Sequence, residues 1–495
     1  MLSDDILYLS VAELGARIRA RQIGPVELTE SYLARLEEFG AKLGAVATLT
    51  GDLALEQAHQ AEIEIAAGHY RSPLHGIPYG AKDLLATKGI PTTWGAPPFK
   101  DQIFDYDATV VRRLREAGAI LVAKLSMIEI AGGGSYNSAS ASLQGPSRCP
   151  YNTDYWAGGS SSGPGAAVPS ALVGFAIGSE TLGSIITPSA FSGVSGLRPT
   201  YGRVSRHGAM ALSWTMDKLG PMCRSAEDCG LVLAAIAGQD PDDPTSLPGR
   251  YVARAAAAAA NRPRKASLAG KRIGVVRPNV DDDADKEFMA AFDAALDVLR
   301  HLGATLEETE FPEYPYTAIA VTLYTAEAAS IFRPFIESGK VQELIDETQK
   351  VGLIAALSIP ANDYLDAFRI RTEIQPAVGK LFEKYDALVS PSRTGPPPLI
   401  GQDFNAPPPK PAGEKEAPKP APLPQTRRSE KRSTIAATNV AGTPALSVPC
   451  GHTKEKNLPI GIQFCADAER EDVCVEFARA YQSATDWHRK RPAGF

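Results

Sequence analysis

Residues 156–200 read WAGGSSSGPGAAVPSALVGFAIGSETLGSIITPSAFSGVSGLRPT, and this stretch decides how the rest of the chain is read. Three consecutive serines, Ser160, Ser161 and Ser162, follow the glycine pair Gly158-Gly159, and a second Gly-Ser pair follows at Gly183-Ser184. Such density of glycine and serine is also the composition of a flexible linker. A linker, however, has no reason to carry the apolar runs at 166–168 and 172–177, or the prolines Pro164, Pro169 and Pro188. The reading adopted is tightly turned backbone that presents hydroxyls and free N–H groups to a ligand. A serine nucleophile with an oxyanion site needs those two things.

The stretch resembles the Gly/Ser-rich motif of the amidase signature enzymes, through Gly158-Gly159-Ser160-Ser161 and Gly178-Ser179-Glu180-Thr181-Leu182-Gly183-Ser184-Ile185. The resemblance extends outward in order. His75-Gly76-Ile77-Pro78-Tyr79-Gly80-Ala81-Lys82-Asp83 is similar to the family's lysine motif. Asp107-Ala108-Thr109-Val110-Val111 through Lys124 is similar to its helix–strand unit. Leu197-Arg198-Pro199-Thr200-Tyr201-Gly202, Gly442-Thr443-Pro444 through Pro449, and Leu458-Pro459-Ile460-Gly461-Ile462-Gln463 complete the set. The resemblance implies one domain over 1–495, with an N-terminal helical region at 1–70.

The same resemblance implies catalytic roles: Ser184 as nucleophile, Ser160 as proton relay after a cis peptide bond, and Lys82 as base. The 24-residue interval between Ser160 and Ser184 is the family's. It also implies an oxyanion site on the backbone N–H groups of Thr181, Leu182, Gly183 and Ser184. Chemistry sets a demand on Lys82. A free lysine titrates at about 10.4, so neutrality near pH 7 costs roughly 4 kcal/mol of differential solvation. The apolar neighbours Ile77, Pro78, Leu84 and Leu85 suit the burial this requires. In an extended segment Asp83 faces the other way. A surface Lys–Asp pair is the alternative reading of the two residues taken alone.

The sequence departs from the family pattern at three places. Leu182 stands where a glycine is usual, Ile186 where an arginine is, and Ser162 where a glycine is. A non-glycine at 182 restricts the turn, and an apolar 186 removes one partner for an anionic substrate. Residues 187–191 either line the site or pack the core.

Composition bounds the remaining options. Of 495 residues 44% are hydrophobic, enough to build a large core. A net charge of −6 gives no electrostatic case for direct nucleic-acid binding. The short basic patch of Arg427, Arg428, Lys431 and Arg432 reads as a solvated face. No apolar run reaches membrane-span length, and the acidic N-terminus lacks the features of a signal peptide. The six cysteines form no CxxC pair or metal-type cluster, which suggests reduced thiols and a cytoplasmic setting. Neither HExxH nor a P-loop occurs, so no metal or cofactor is expected. The expected partner is a small amide substrate, and a homodimer is one open arrangement.

Periodicity and caps predict helices at 10–21 (with Ser10 as N-cap), 26–39 and 52–67, and another capped by Asp107 that runs through Ala117. Strands are predicted at 45–50 and 119–123, then a strand–helix–strand unit at 272–277, 283–302 and 304–310. Further strands fall at 385–390, 445–448 and 460–464, with a final helix at 470–482. The alternation predicts an α/β fold: a large mixed, mostly parallel sheet covered by helices on both faces. The segment 405–424 is rich in Pro, Lys and Glu and reads as an exposed insertion, and 255–260 as a surface alanine helix.

Four functions are carried forward. The leading one is a free-standing amidase acting through a Ser184 acyl-enzyme. The others are the glutaminase subunit of a tRNA-dependent amidotransferase, a non-catalytic binding homologue, and a serine esterase built on Gly159-Ser160-Ser161-Ser162-Gly163 with His207, His301 or His452. The polar segment before Ser161 does not suit that last motif. Cys149, near the serines but without a histidine neighbour, reads as packing.

Overall fold

The computed structural model describes residues 1–253, 266–278, 285–404 and 430–495. The alanine run at 255–260, the insertion at 405–424, and Arg427 and Arg428 of the basic patch lie outside the described residues. The other two members of that patch, Lys431 and Arg432, are ion-paired to Glu313 and Glu310.

Eleven strands appear among the described residues: β1 (Val46–Leu49), β2 (Pro78–Lys82), β3 (Ile120–Leu125), β4 (Phe175–Glu180), β5 (Ser195–Arg198), β6 (Lys218–Cys223), β7 (Arg272–Val275), β8 (Thr305–Glu308), β9 (Ala387–Pro391), β10 (Ala445–His452) and β11 (Pro459–Cys465). They form one continuous sheet in the order β1-β3-β2-β4-β6-β5-β10-β11-β9-β7-β8. The sheet is mixed, as expected, but its parallel pairs are confined to β3-β2-β4 and β9-β7-β8. The centre, from β4 through β6, β5, β10 and β11 to β9, is antiparallel. The predominance of parallel pairing that alternation predicted therefore fails in the middle. Short loops there, such as the one joining β10 to β11, let neighbouring strands return directly, whereas parallel neighbours need a long crossover.

Both faces of the sheet are covered. Along β4, Phe175 and Ile177 face one apolar layer and Ala176 the opposite one. The first layer contains Val11, Leu14 and Ile18 from the helix Val11–Arg19 and Val232, Leu233 and Ile236 from the helix Ala226–Ile236. The second contains Leu36, Ala54 and Ala58 from the helices Pro25–Phe39 and Gly51–Ala66. A third cluster packs the helices Tyr316–Ile331, Ala361–Lys384 and Thr434–Ala441 against Leu388, Ala445 and Cys465.

Local signals set several of these elements. Ser10 caps its helix with a complete capping box: its hydroxyl accepts from Glu13 N–H at 3.1 Å, and Glu13 accepts from Ser10 N–H at 2.9 Å. Such a cap is worth about 1 kcal/mol. Asp107 does not cap the next helix, Thr109–Glu116, which begins after Ala108. Its carboxylate instead accepts from Lys88 N–H at 2.8 Å and pairs with Arg115, tying the helix to the preceding loop. Gly118, at φ +87°, turns the chain out of that helix into β3, as predicted. The strand–helix–strand unit forms as β7, Lys286–His301 and β8, with the two strands parallel.

Candidate active site

Lys82 is the last residue of β2, a strand buried along its whole length between β3 and β4. The three strands run parallel, so their carboxyl ends lie on one side of the sheet, where open α/β sheets form ligand crevices. On that side β4 ends at Glu180 and the chain turns through Thr181–Ser184 into the helix Ile186–Ser192. Beside it the serine loop runs into the helix Ser162–Ala167, whose first residue is the third serine.

Lys82 is completely buried, and its Nζ donates to Ser160 Oγ at 2.8 Å, Ser179 Oγ at 2.9 Å and Ser161 Oγ at 3.1 Å. No carboxylate lies within ion-pairing distance of it among the described residues. Burial pushes its pKa down to about 7, partly offset by the more distant Asp217 and Glu180. The alternative of a surface Lys–Asp pair is thereby excluded. Asp83 faces away, paired with the equally buried Lys124 at 3.1 Å and accepting from Thr93 N–H at 2.9 Å.

The Gly159–Ser160 peptide bond is cis, the form the resemblance implies. Ser161 N–H donates to Ser184 O at 3.3 Å, which fastens the serine loop to the β4 turn. Ser160 is buried, whereas Ser184 is half-buried and lines an open cavity together with Gly159, Thr181 and Leu182. The Ser160 and Ser184 hydroxyls make no hydrogen bond to one another. The structure thus joins Lys82 to Ser160 directly and places Ser184 on the neighbouring turn.

In that turn the N–H groups of Thr181, Leu182, Gly183 and Ser184 donate to no described residue, so they are free for a ligand. Gly183 carries the left-handed conformation, at φ +92°. Leu182 does not need it, so the side chain in place of glycine is accommodated without backbone strain. Glu180, fully buried, fixes the turn from below. It accepts from Ile185 N–H at 2.8 Å and Ile186 N–H at 2.9 Å, and from Arg198 at 3.1 Å and Asn439 Nδ2 at 2.8 Å. Burial opposes its ionisation, but Arg198, Lys218 and Asn439 outweigh burial and hold its pKa below the usual range. Asp217, half-buried and raised in pKa by desolvation, accepts from Thr181 Oγ1 at 2.6 Å and from Leu212 and Ser213 N–H.

The cavity measures about 670 Å³. Tyr136, Trp156 and Phe404 form one aromatic wall, with ring centroids 4.9 Å apart for Trp156 and Phe404. Of the residues left open at 187–191, Thr187 and Phe191 line the cavity, and Pro188, Ser189 and Ala190 pack inside. Ile186 is fully buried in the third apolar cluster and does not reach the cavity, so its apolarity does not set the site's preference for charge. Among the described residues no histidine lines this cavity. His207 lines a neighbouring pocket against Tyr106, its ring bonded to no serine among the described residues; His301 is exposed, and His452 packs between Tyr151 and Trp487. Ser161 is buried against Ser179, with no strand before it. The esterase reading therefore has neither its histidine nor its elbow. Cys149 is buried and donates to Phe191 O, and burial raises its pKa to about 11, consistent with packing.

Sequence reasoning missed Ser179, Ser161 and the Glu180–Arg198–Asn439–Lys218 network. Ser179 had a positional signal only in three dimensions, since β4 pairs with β2 two residues earlier, at Ala81 and Ile177.

A family model described as Amidase matches residues 27–475. The chain is 35% identical to the A subunit of glutamyl-tRNA(Gln) amidotransferase from Moorella thermoacetica, covering 99% of each chain. It is 36% identical to the protein of the same name from Azotobacter vinelandii, covering 98% of this chain and 99% of the other. Among solved structures, native peptide amidase from Stenotrophomonas maltophilia superimposes with a TM-score of 0.81 at 30% identity, covering 98% of both chains. The match along nearly the whole sequence and the shared architecture establish the family: this chain belongs to the amidase signature enzymes, which act on amide C–N bonds.

Proposed function

We propose that the protein cleaves a carboxamide through a Ser184 acyl-enzyme, with Ser160 and Lys82 moving the protons. Neutral Lys82 takes the Ser160 proton while Ser160 takes that of Ser184, whose Oγ attacks the carbonyl carbon. The oxyanion meets the free N–H groups of Thr181, Leu182, Gly183 and Ser184. The proton returns through Ser160 to the leaving nitrogen, the C–N bond breaks, and the amine departs. Water then repeats the sequence against the ester and frees the acid. The observation that carries this reading is the fully buried Lys82 amine 2.8 Å from Ser160 Oγ, with no carboxylate in contact to keep it charged. Labelling of Ser184 by a fluorophosphonate, with loss of label and of amide hydrolysis in Ser184→Ala, tests it. A Ser184→Ala protein with full activity overturns it, and a folded wild-type protein that neither labels nor hydrolyses supports the non-catalytic homologue instead.

Whether the acyl acceptor chemistry stands alone or serves a partner is a separate matter. The full-length similarity to the glutamyl-tRNA(Gln) amidotransferase A subunits supports the glutaminase-subunit reading, and does so more strongly than the similarity to peptide amidase supports the free-standing one. In that role the same residues release ammonia from glutamine for a partner to use. Glutamine hydrolysis that appears only with the remaining amidotransferase subunits and charged tRNA favours the glutaminase role. Steady turnover of simple amides by the chain alone favours the free-standing amidase. A single domain in a cytoplasmic setting belongs to either reading.

A further inference from the structure

The cavity that holds Ser184 contains a cation that no described residue neutralises. Arg393 lies two residues beyond the end of β9 and lines the same space as Ser184 and Trp156. Its guanidinium sits 5.6 Å from the ring centroid of Phe191. Among the described residues its side chain donates no hydrogen bond and meets no carboxylate. Its side chain is exposed at the cavity, and desolvation by the protein around it still pushes its pKa below the usual arginine value, with Tyr136 acting in the opposite sense.

Buried arginines of this molecule, unlike the exposed Arg393, spend their donors on the protein. Arg198 meets Glu180 and Thr443 O, Arg224 meets the carbonyls of Val168, Val173 and Leu9, and Arg371 meets those of Val440 and Thr215. Arg393 alone of these four keeps its fork of N–H donors free while facing the reaction space. Contact with an aromatic ring does not use those donors. The cavity wall has a second cation, Lys456, and no Asp or Glu among the described lining residues. A planar guanidinium with free donors, in a cavity whose described lining carries two cations and no acid, suits a carboxylate held by two parallel hydrogen bonds.

We propose that Arg393 is a specificity residue that selects amides whose acyl chain also carries a carboxylate, holding that group while Ser184 engages the amide carbonyl. This rests on the hydrolytic reading above and names its substrate class. The described lining offers no acid for an ammonium, so a simple ω-carboxy amide is favoured over zwitterionic glutamine, and both over a neutral amide.

The test compares kcat/KM for succinamate, glutaramate and adipamate with butanamide, pentanamide and hexanamide, in the wild type, Arg393→Ala and Arg393→Lys. The expected result is a preference of about tenfold or more for at least one carboxylate member, the scale of a charged hydrogen-bond pair. Arg393→Ala erases the preference, and Arg393→Lys retains part of it. In parallel, calorimetry measures binding of the uncleaved amides to Ser184→Ala and to Ser184→Ala/Arg393→Ala. Equal turnover of both series, or a preference that survives Arg393→Ala, overturns the assignment and leaves the hydrolytic reading intact. Absent turnover with Arg393-dependent binding of carboxylate amides does the reverse. Neither turnover nor binding of any amide overturns both.

Discussion

Lys82 Nζ and Ser160 Oγ are 2.8 Å apart at the carboxyl end of β2, inside protein that water does not reach. The contact places an amine of lowered pKa against the hydroxyl that the proposed mechanism uses as its proton relay. Its pKa of about 7 lets a substantial fraction be neutral under ordinary conditions.

Activity follows the protonation of this amine. As pH falls through about 7, Lys82 takes up a proton, and kcat/KM declines about tenfold for each further pH unit on the acid limb. Stability carries the same signature. Between pH 7 and 10 the unfolded lysine holds a proton that the folded one has released, so unfolding free energy rises with pH across that window. Urea melts of the wild type and Lys82→Met at pH 7 and 9.5 check the sign: the wild type gains stability relative to the variant on going to the higher pH.

The proposed mechanism gives the two serines separable roles. Ser184→Ala removes the atom that forms the ester, so hydrolysis and fluorophosphonate labelling are both abolished. Ser160→Ala leaves that atom but interrupts the path to Lys82, lowering kcat by roughly 10²- to 10⁴-fold while slow labelling persists. Single-turnover kinetics with an activated aryl ester separates the two, because a better leaving group needs less protonation and loses less in Ser160→Ala.

Glu180 holds the nucleophile turn through two backbone N–H groups and neutralises the buried Arg198. Glu180→Ala leaves that guanidinium unpaired and is expected to cost about 3–5 kcal/mol. Glu180→Gln keeps one acceptor, costs less stability, and still lowers kcat because the turn is held less firmly. Thermal melts and kcat measured on the same preparations distinguish loss of fold from loss of positioning.

Gly183 occupies left-handed backbone between the N–H donors of the turn, and an added Cβ meets Thr187 Oγ1 at 3.2 Å. Gly183→Ala is expected to cost about 1–2 kcal/mol. The turn relaxes and re-aims its donors, so kcat falls by more than KM rises. Steady-state kinetics on one amide over a full concentration range tests that division.

Much of the site was legible because its chemistry is carried by short ordered motifs. Lys82, Ser160, Ser184 and the donors at 181–184 could be named from the motif and its spacing. The outer elements were legible too, since amphipathic helices and capping residues such as Ser10 and Gly118 leave local marks. The strands β2, β4 and β6 left none. Their residues are buried on both faces, so polarity does not alternate along them, and Gly178, Gly220 and Pro221 dilute the strand composition.

The sequence by itself determined the candidates for nucleophile, relay and base, because bond-making chemistry demands particular atoms and the family-like motif offers them in order. Tertiary structure alone decided the state and company of those atoms. Ser179 and Ser161 reach Lys82 only through the parallel pairing of β4 with β2 and the fold of the serine loop. Ile186 turns inward while Arg393 and Lys456, each more than two hundred residues away in the chain, supply the cavity's charge. Burial and electrostatics depend on which distant segments pack together, and that sum over the whole fold has no counterpart in any local run of residues.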